Sequence, residues 1–244
     1  MSWISLLKPT YLIVPLSLLQ WFPNNLIRSL DDVVAASYRR LIGKLIYLTT
    51  TRLDITFAVN HLSQFMSAPT TAHQQATTHI LRYLKGTPSV GIHLPRNSTA
   101  QLKAFCDFDW ATCLNTRRSV TGFTVYLGKS LISWRSKKQP TVSRSSFEAE
   151  YRSLASTVCE LQWLTYMLHD LYIAYTSPAL IYCDNQSAIQ IASNKVFHER
   201  TKHIDIDCHI VSEKVAAGLI KLLSISTTMQ IADILTKSLP PPCF

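Results

Sequence analysis

The sequence predicts an α/β domain with a mixed sheet, preceded by a shorter helical segment. In the first third of the chain, apolar residues recur at three- and four-residue spacing, as at Tyr38, Leu41, Ile42 and Leu45, which indicates amphipathic helices. After about residue 100 the pattern changes to short apolar runs that are separated by glycine- and serine-containing segments, which is typical of strands. Three strands, a long helix and then alternating strands and helices favour a sheet with both parallel and antiparallel pairs.

The elements follow one another in a clear order. Residues from about 37 to 88 are predicted to be helical, and Lys85-Gly-Thr-Pro88 is a stop signal. Strands are predicted at 102–108, 120–127, 131–134, 180–184 and 219–225, and helices at 146–171, 185–192, 203–215 and 229–238. A polar stretch at 95–100 marks a domain boundary. We therefore divide the chain into a leader at 1–37, a helical segment at 38–95, an α/β domain at 100–239 and a tail at 240–244.

The net charge favours a polyanionic partner, and the short apolar run near the N-terminus does not predict a membrane span. The chain has 244 residues and a formal net charge of +9, a balance that favours a polyanionic partner. The apolar run at 11–22 is too short to span a membrane, contains Pro15 and lacks a cleavage site for a signal peptidase. We therefore expect an intracellular protein, cytoplasmic or nuclear, without a membrane partner.

The cysteines point to a reducing compartment. The six cysteines include no Cys-x-x-Cys pair, and several lie in apolar runs, where a free cysteine behaves as a small buried apolar residue. We expect free thiols and no structural zinc site.

Two aspartates stand where strands end. Asp107 ends the first predicted strand, and Asp184 ends the fourth. The carboxyl ends of strands in α/β sheets face the crevice where ligands usually bind. The alternatives are a turn-forming aspartate for Asp107 and a helix N-cap for Asp184.

Two further acids lie in predicted helices. Glu148 and Glu150 are separated by about 200° around a helix axis, and Glu150 shares the apolar stripe of Leu154 and Leu161. Glu150 should thus face the sheet, where a carboxylate is costly unless it binds a cation, and Glu148 should be an exposed acid at the helix start. Asp233 lies in the first turns of the last predicted helix, where an exposed acid that stabilises the helix dipole is the alternative.

A set of carboxylates without other ligands suits Mg²⁺ or Mn²⁺. Carboxylates that converge from strand ends and helix starts suit two such ions, which together catalyse in-line displacement at a phosphodiester. The residues alone make this chemistry a hypothesis.

A series of motifs resembles the ribonuclease H region of copia-type retrotransposon polyproteins. The motifs lie at 106–111 (Cys-Asp-Phe-Asp-Trp-Ala), 116–119 (Thr-Arg-Arg-Ser), 133–139 (Ser-Trp-Arg-Ser-Lys-Lys-Gln), 145–151 (Ser-Ser-Phe-Glu-Ala-Glu-Tyr), 183–188 (Cys-Asp-Asn-Gln-Ser-Ala), 198–204 (His-Glu-Arg-Thr-Lys-His-Ile) and 230–237 (Gln-Ile-Ala-Asp-Ile-Leu-Thr-Lys). Upstream, 38–48 and 79–86 are similar to the segment that links reverse transcriptase to ribonuclease H in that family. The resemblance extends from about Tyr38 to Leu239.

The resemblance implies a ribonuclease H-like domain with a mixed five-stranded sheet, flanked by helices and preceded by a small helical connection segment. The family's metal ligands carry over to Asp107, Glu150, Asp184 and Asp233, which implies two Mg²⁺ ions, or Mn²⁺ in their place, and no small-molecule cofactor. The implied activity is hydrolysis of the RNA strand of an RNA–DNA hybrid, and the implied partners are the hybrid and the rest of a polyprotein.

The sequence also departs from the family pattern. The polymerase motif of a tyrosine followed by paired aspartates is absent, so we expect no polymerase activity. Ser226, Thr227 and Thr228 occupy the stretch where many cellular ribonucleases H carry a histidine, which leaves the proton-shuttling role unassigned. Leu53 stands where the family usually has a proline. An inactive relic that folds and binds nucleic acid is therefore the alternative, and an integrase-type nuclease is a further one.

Basic residues surround the first two acidic positions. A positive surface of this kind would contact the phosphates of a duplex without reading its sequence. The alternative is that these residues only guard exposed strand edges. The predicted nucleic-acid-binding residues are Arg117, Arg118, Arg135, Lys137, Lys138 and Arg144.

Overall fold

The computed structural model describes residues 28–113, 115–193 and 204–237. The described residues form two compact units, one up to Ile92 and one over His93–Thr236. The boundary lies just before the polar stretch at 95–100. Most of the predicted leader, the tail at 240–244 and most of the motif at 198–204 lie outside the described residues.

The first unit is helical, as the apolar spacing indicates. It contains α1 (Asp32–Leu48), α2 (Thr56–Ser63) and α3 (Thr71–Gly86), with a 3₁₀ turn at Leu53–Ile55. Helix α1 begins at Asp32, inside the stretch that the sequence predicted as a leader. Apolar side chains from the three helices, such as Ile42, Val59 and Ile80, form its core.

The second unit contains a five-stranded mixed sheet. Its strands are β1 (Leu102–Asp109), β2 (Val120–Leu127), β3 (Ser130–Lys138), β4 (Ala179–Cys183) and β5 (Ile220–Ser224), and their order in the sheet is β3-β2-β1-β4-β5. Strands β1, β2 and β3 pair antiparallel, whereas β4 lies parallel to both β1 and β5. Helices α4 (Ser146–Asp170), α5 (Gln186–Ser193) and α6 (Asp205–Ala216) complete the unit. The predicted fold class, an α/β domain with a mixed five-stranded sheet preceded by a helical segment, is confirmed.

Helix α4 covers one face of the sheet. Its apolar stripe, which includes Leu154, Leu161, Leu164 and Leu168, is buried as the helical spacing predicted. The stripe packs against inward-facing residues of the strands, such as Ala104, Phe123 and Ile181. This packing fixes the position of any side chain that α4 carries toward the strand ends.

The prediction of one continuous helix at 229–238 is wrong. The segment instead forms two 3₁₀ turns, at Thr227–Met229 and Ile231–Leu235. Gln230 Nε2 donates to the carbonyl of Cys106 at 2.9 Å, and Ser136 Oγ donates to the carbonyl of Leu235 at 2.6 Å. These bonds to β1 and β3 hold the segment on the sheet, and they replace the hydrogen bonds that a longer helix would make within itself.

A glycine in β2 lets this segment approach the sheet. A Cβ atom built on Gly122 would lie 2.5 Å from Thr236 Cγ2 and 2.9 Å from Leu235 Cβ. Glycine inside a strand often marks the close approach of another backbone. Gly122 pairs with Asp107 across the ladder, so the close approach occurs beside that carboxylate.

In the described part of the chain, no helix is both long and apolar enough to span a membrane.

Candidate active site

Asp107 lies near the carboxyl end of the central strand β1 and is 3% exposed. Thr236 Oγ1 donates a hydrogen bond to Asp107 Oδ2. Ser153 Oγ, from α4, donates to the backbone carbonyl of Asp107 at 2.7 Å. The side chain and the backbone of Asp107 are thus held from opposite directions, which excludes the alternative of an exposed turn-forming aspartate.

Glu150 lies on the buried face of α4, as the helical geometry predicted, and its exposed fraction is 0%. Cys183 Sγ donates to Glu150 Oε1 at 2.9 Å, whereas Glu150 Oε2 is buried without a hydrogen-bond partner. Burial raises the pKa of Glu150 to about 10, and nearby Cys183, Asp184 and Asp107 add to this rise. Without a cation, the Glu150 carboxyl is therefore protonated at neutral pH.

Asp184 follows β4 directly and is half-buried. Its Oδ2 accepts a hydrogen bond of 3.0 Å from Thr227 Oγ1. The N-terminal cap of α5 is instead provided by Asn185, whose Oδ1 accepts from the backbone N–H of Ala188 at 3.2 Å. The Asp184 side chain is thus not needed as the helix cap.

Asp233 lies in the 3₁₀ turn Ile231–Leu235 and is half-buried. Its backbone carbonyl accepts a hydrogen bond from the backbone N–H of Thr236 at 3.2 Å, and the Oγ1 of Thr236 lies 3.3 Å from the same carbonyl. The same Thr236 hydroxyl bonds to Asp107, so one side chain connects the two acidic residues. A five-residue 3₁₀ turn has little dipole to stabilise, which weakens the alternative role for Asp233.

Asp107 and Asp184 both lie close enough to Glu150 to raise its pKa. Strands β1 and β4 are parallel neighbours, and their register aligns Phe105 with Tyr182. Asp107 and Asp184 each lie two residues further along, so they emerge at the same edge of the sheet. This all-oxygen donor set, with one buried carboxylate oxygen unpaired, fits a hard divalent cation.

A second group of ligand atoms lies at the same edge. In the described residues, one sulfur atom each from Cys106 and Cys183 and a carboxylate oxygen of Glu150 lie within 4.8 Å of one another. Of the four predicted acids, only Glu150 belongs to this group. Strand pairing brings the two cysteines together although they are far apart in sequence.

The prediction that Glu148 is an exposed acid is wrong, because Glu148 is 2% exposed. Its two carboxylate oxygens accept hydrogen bonds from the backbone N–H of Arg144, at 2.7 Å, and from Arg152 Nη2, at 2.6 Å. Ser145 Oγ in turn accepts from the backbone N–H of Glu148. The loop before α4 therefore covers the start of the helix, and helical geometry alone could not show that cover.

The predicted basic residues do not all share one face of the sheet. The register places Arg135 opposite Phe123 and Lys137 opposite Thr121, on the face that carries α4. Lys138 lies on the other face, where its Nζ is 2.7 Å from Cys113 Sγ. Partial burial raises the pKa of Cys113, but hydrogen bonds from Lys138 and Thr116 outweigh it and lower the value to about 7. The remaining basic residues of the predicted set, Arg117, Arg118 and Arg144, are exposed.

Comparison with known proteins identifies the family. The chain is 50% identical over 207 residues to the retrovirus-related Pol polyprotein from transposon RE1 of Arabidopsis thaliana, an alignment that covers 85% of this chain and 14% of that protein. It is 39% identical over 210 residues to the corresponding polyprotein from transposon TNT 1-94 of Nicotiana tabacum, covering 86% of this chain and 16% of that protein. The chain belongs to the copia-type retrotransposon Pol family.

The chain spans about one seventh of the length of these Pol relatives. No protein-family model matches it. Among solved structures, it is similar to LC11-RNase H1 in complex with an RNA/DNA hybrid, with 13% identity and a TM-score of 0.43 over 56% of this chain and 94% of that chain.

Several residues that support the acids in this Pol segment were not predicted from the sequence. Thr236 and Thr227 bind the carboxylates of Asp107 and Asp184, and Gln230 anchors the segment that carries Asp233. One available signal was the repeated Cys-Asp dipeptide, because Cys106 and Cys183 each precede a predicted ligand. Another was Gly122 in the middle of a predicted strand.

Proposed function

We propose that the α/β domain is a metal-dependent ribonuclease H that hydrolyses the RNA strand of RNA–DNA hybrids. The observation that carries the proposal is that Asp107 and Asp184 emerge from adjacent parallel strands, beside Glu150, in a chain of the copia-type Pol family. Such an edge of an α/β sheet is where ligands usually bind. Thr236, which donates to the Asp107 carboxylate, also contacts the backbone carbonyl of the fourth acid, Asp233.

The proposed metal ligands are Asp107, Glu150, Asp184 and Asp233. Two Mg²⁺ ions, when bound, would orient the attacking water and stabilise the leaving oxygen of the phosphodiester. The unpaired, buried Oε2 of Glu150 supports a cation at this position, because an unpartnered carboxylate oxygen is costly in a dry environment.

The residues around the acids hold them in place. Thr236 orients the carboxylate of Asp107, and Ser153 fixes the backbone of the same residue. Thr227 orients Asp184 through a bond of 3.0 Å. Such partners restrict the rotamers of the ligands and thereby reduce the entropy that would be lost on assembly of the site. Thr227 lies in the stretch where many cellular ribonucleases H carry a histidine, and in this chain it positions Asp184.

The substrate contacts are proposed from charge and exposure. Arg117, Arg118, Arg135, Lys137 and Arg144 are exposed, and the chain carries a net charge of +9. Contacts to phosphates supply affinity without sequence preference. Discrimination of the RNA strand would come from its 2′-hydroxyls and the shape of the minor groove.

The cytoplasmic or nuclear location of the protein stays a prediction.

The test is cleavage of a labelled RNA–DNA hybrid by the full chain, with Mg²⁺, with Mn²⁺ and without divalent metal. We expect metal-dependent cleavage of the RNA strand that Asp107→Asn and Glu150→Gln abolish. Asp170→Asn is the matched control, because Asp170 lies on α4 but is exposed. This control should cleave like the wild type.

Failure of cleavage by a cooperatively folded chain would overturn the proposal and favour an inactive relic that folds and binds nucleic acid. The same preparation should be given linear DNA ends. Processing of those ends without cleavage of the hybrid would instead favour an integrase-type nuclease.

A further inference from the structure

We propose that Cys106, Cys183 and Glu150 form a binding site for a thiophilic divalent cation such as Zn²⁺. Because the bound cation occupies Glu150, it excludes Mg²⁺ from that carboxylate. The binding site stands on its own geometry, whereas its inhibitory effect rests on the proposed nuclease function.

Parallel strand pairing creates the site. The register of β1 and β4 aligns Phe105 with Tyr182, so Cys106 and Cys183 follow as neighbours on the face that α4 covers. Glu150 enters from α4, and Cys183 Sγ lies 2.9 Å from its Oε1. The cysteine spacing in the sequence predicted no zinc site, because it reveals only ligands that are close along the chain.

The spacing of the donor atoms suits a tetrahedral ion. The two sulfur atoms and one carboxylate oxygen lie within 4.8 Å of one another. A zinc–sulfur distance of about 2.3 Å implies a sulfur–sulfur separation of about 3.8 Å in a tetrahedral site. The donors therefore need only a small contraction to bind one ion.

Burial and donor chemistry select the ion. All three side chains have an exposed fraction of 0%, and the Oε2 atom of Glu150 has no hydrogen-bond partner. Thiolates favour Zn²⁺ or Cd²⁺ over Mg²⁺, which takes oxygen ligands. Two thiols and one carboxyl would release their protons to solvent on binding, and a water molecule would complete the coordination.

The inhibitory consequence follows from the shared ligand. Glu150 cannot coordinate Mg²⁺ productively while it coordinates an ion held by the two cysteines. Because these cysteines directly precede Asp107 and Asp184, an ion bound to them would also shift both strand ends that carry the proposed ligands. Zn²⁺ would thus act as an inhibitor that competes with Mg²⁺.

The first experiment measures binding alone. The full chain, reduced and freed of metal, is titrated with Cd²⁺ and with Co²⁺ while thiolate-to-metal charge-transfer absorption is recorded. We expect one ion per chain, and we expect Cys106→Ala or Cys183→Ala to weaken binding by more than about tenfold. Cys208→Ala is the matched control, because Cys208 is buried but lies outside the group. Absence of a charge-transfer band in the wild type would overturn the proposal even if the variants misfold. Binding by folded Cys106→Ala and Cys183→Ala variants as tight as that of the wild type would also overturn it.

The second experiment measures hybrid cleavage in Mg²⁺ with increasing Zn²⁺. Inhibition should require Zn²⁺ at a concentration at least about tenfold higher in Cys183→Ala than in the wild type. Equal inhibition of the two proteins would overturn the competitive effect. A chain that binds Cd²⁺ through its cysteines but never cleaves hybrid would refute the nuclease and leave the thiolate site standing, so the two failures are distinguishable.

Discussion

The hydroxyl of Thr236 donates a hydrogen bond to the carboxylate of Asp107, a residue that precedes it by 129 positions. The same hydroxyl lies 3.3 Å from the backbone carbonyl of Asp233. Thr236 is fully buried, so water cannot replace the bond to Asp107. This one side chain therefore joins the central strand to the segment that carries the fourth acid, and it controls the position of both.

We expect Thr236→Val to lower hybrid cleavage by roughly tenfold or more, because the loss of a hydrogen bond to a metal-binding carboxylate typically has an effect of that size. Valine preserves the shape of threonine but cannot donate to Asp107. The Mg²⁺ concentration needed for half-maximal cleavage should rise in parallel. The measurement is the cleavage rate as a function of Mg²⁺ concentration.

Thr236→Ser keeps the hydroxyl and serves as the control. It should retain most of the activity and the Mg²⁺ dependence of the wild type. If the serine variant lost more activity than the valine variant, the methyl group rather than the hydrogen bond would be the important feature of Thr236.

The strands and the long helix could be predicted because local patterns determine them. Helix α4 occupies Ser146–Asp170, and its Leu154 and Leu161 face the sheet together with Glu150, as the helical period required. The apolar runs likewise located all five strands, and β1, β2, β4 and β5 bury apolar side chains against the helices.

Other features depended on contacts between distant parts of the chain. The segment after β5 forms 3₁₀ turns because Gln230 and Ser136 bind it to the sheet, and no local pattern encodes those bonds. Glu148 is buried because a loop folds over it. The adjacency of Cys106 and Cys183 arises from strand register, which the sequence alone does not specify.

We expect Gly122→Ala to lower the free energy of unfolding by about 1–3 kcal/mol, the usual range for overpacking in a tightly packed region. The added Cβ would lie 2.5 Å from Thr236 Cγ2, so the 3₁₀ segment must shift away from β2. Because Thr236 orients Asp107, cleavage should also fall. Chemical denaturation and a cleavage assay measure the two effects. Gly91→Ala, where a Cβ would meet nothing within 4 Å, should change neither.

We expect the double variant Arg135→Ala, Lys137→Ala to bind the hybrid more weakly and with a smaller dependence on salt. Each phosphate contact that is lost should reduce the slope of log K against log salt concentration by about 1. Filter binding without divalent metal measures the slope while cleavage is prevented. Lys221→Ala, an exposed lysine on β5, is the control. An unchanged slope in the double variant would remove Arg135 and Lys137 from the proposed interface.

Glu150 makes the stability of the metal-free chain depend on pH. Its pKa is raised by burial from 4.5 to about 10, so the folded chain retains a proton that the unfolded chain loses above pH 4.5. Below pH 4.5 both the folded and the unfolded chain carry the proton, so Glu150 does not lower the free energy of unfolding. Between pH 4.5 and 10 Glu150 lowers the free energy of unfolding by about 1.4 kcal/mol for each pH unit, which amounts to about 3 kcal/mol at pH 7.

We therefore expect Glu150→Gln to stabilise the metal-free chain, by an amount that increases between pH 5 and pH 8, although the variant should not cleave. Glutamine has nearly the same shape and cannot ionise, so the variant removes the cost of keeping the carboxyl protonated. Chemical denaturation of both proteins at several pH values gives the difference, and all other titrating groups are common to the two. Saturating Mg²⁺ should narrow the difference, because a bound cation favours the carboxylate. A difference that stayed constant with pH would mean that Glu150 is already ionised in the folded chain.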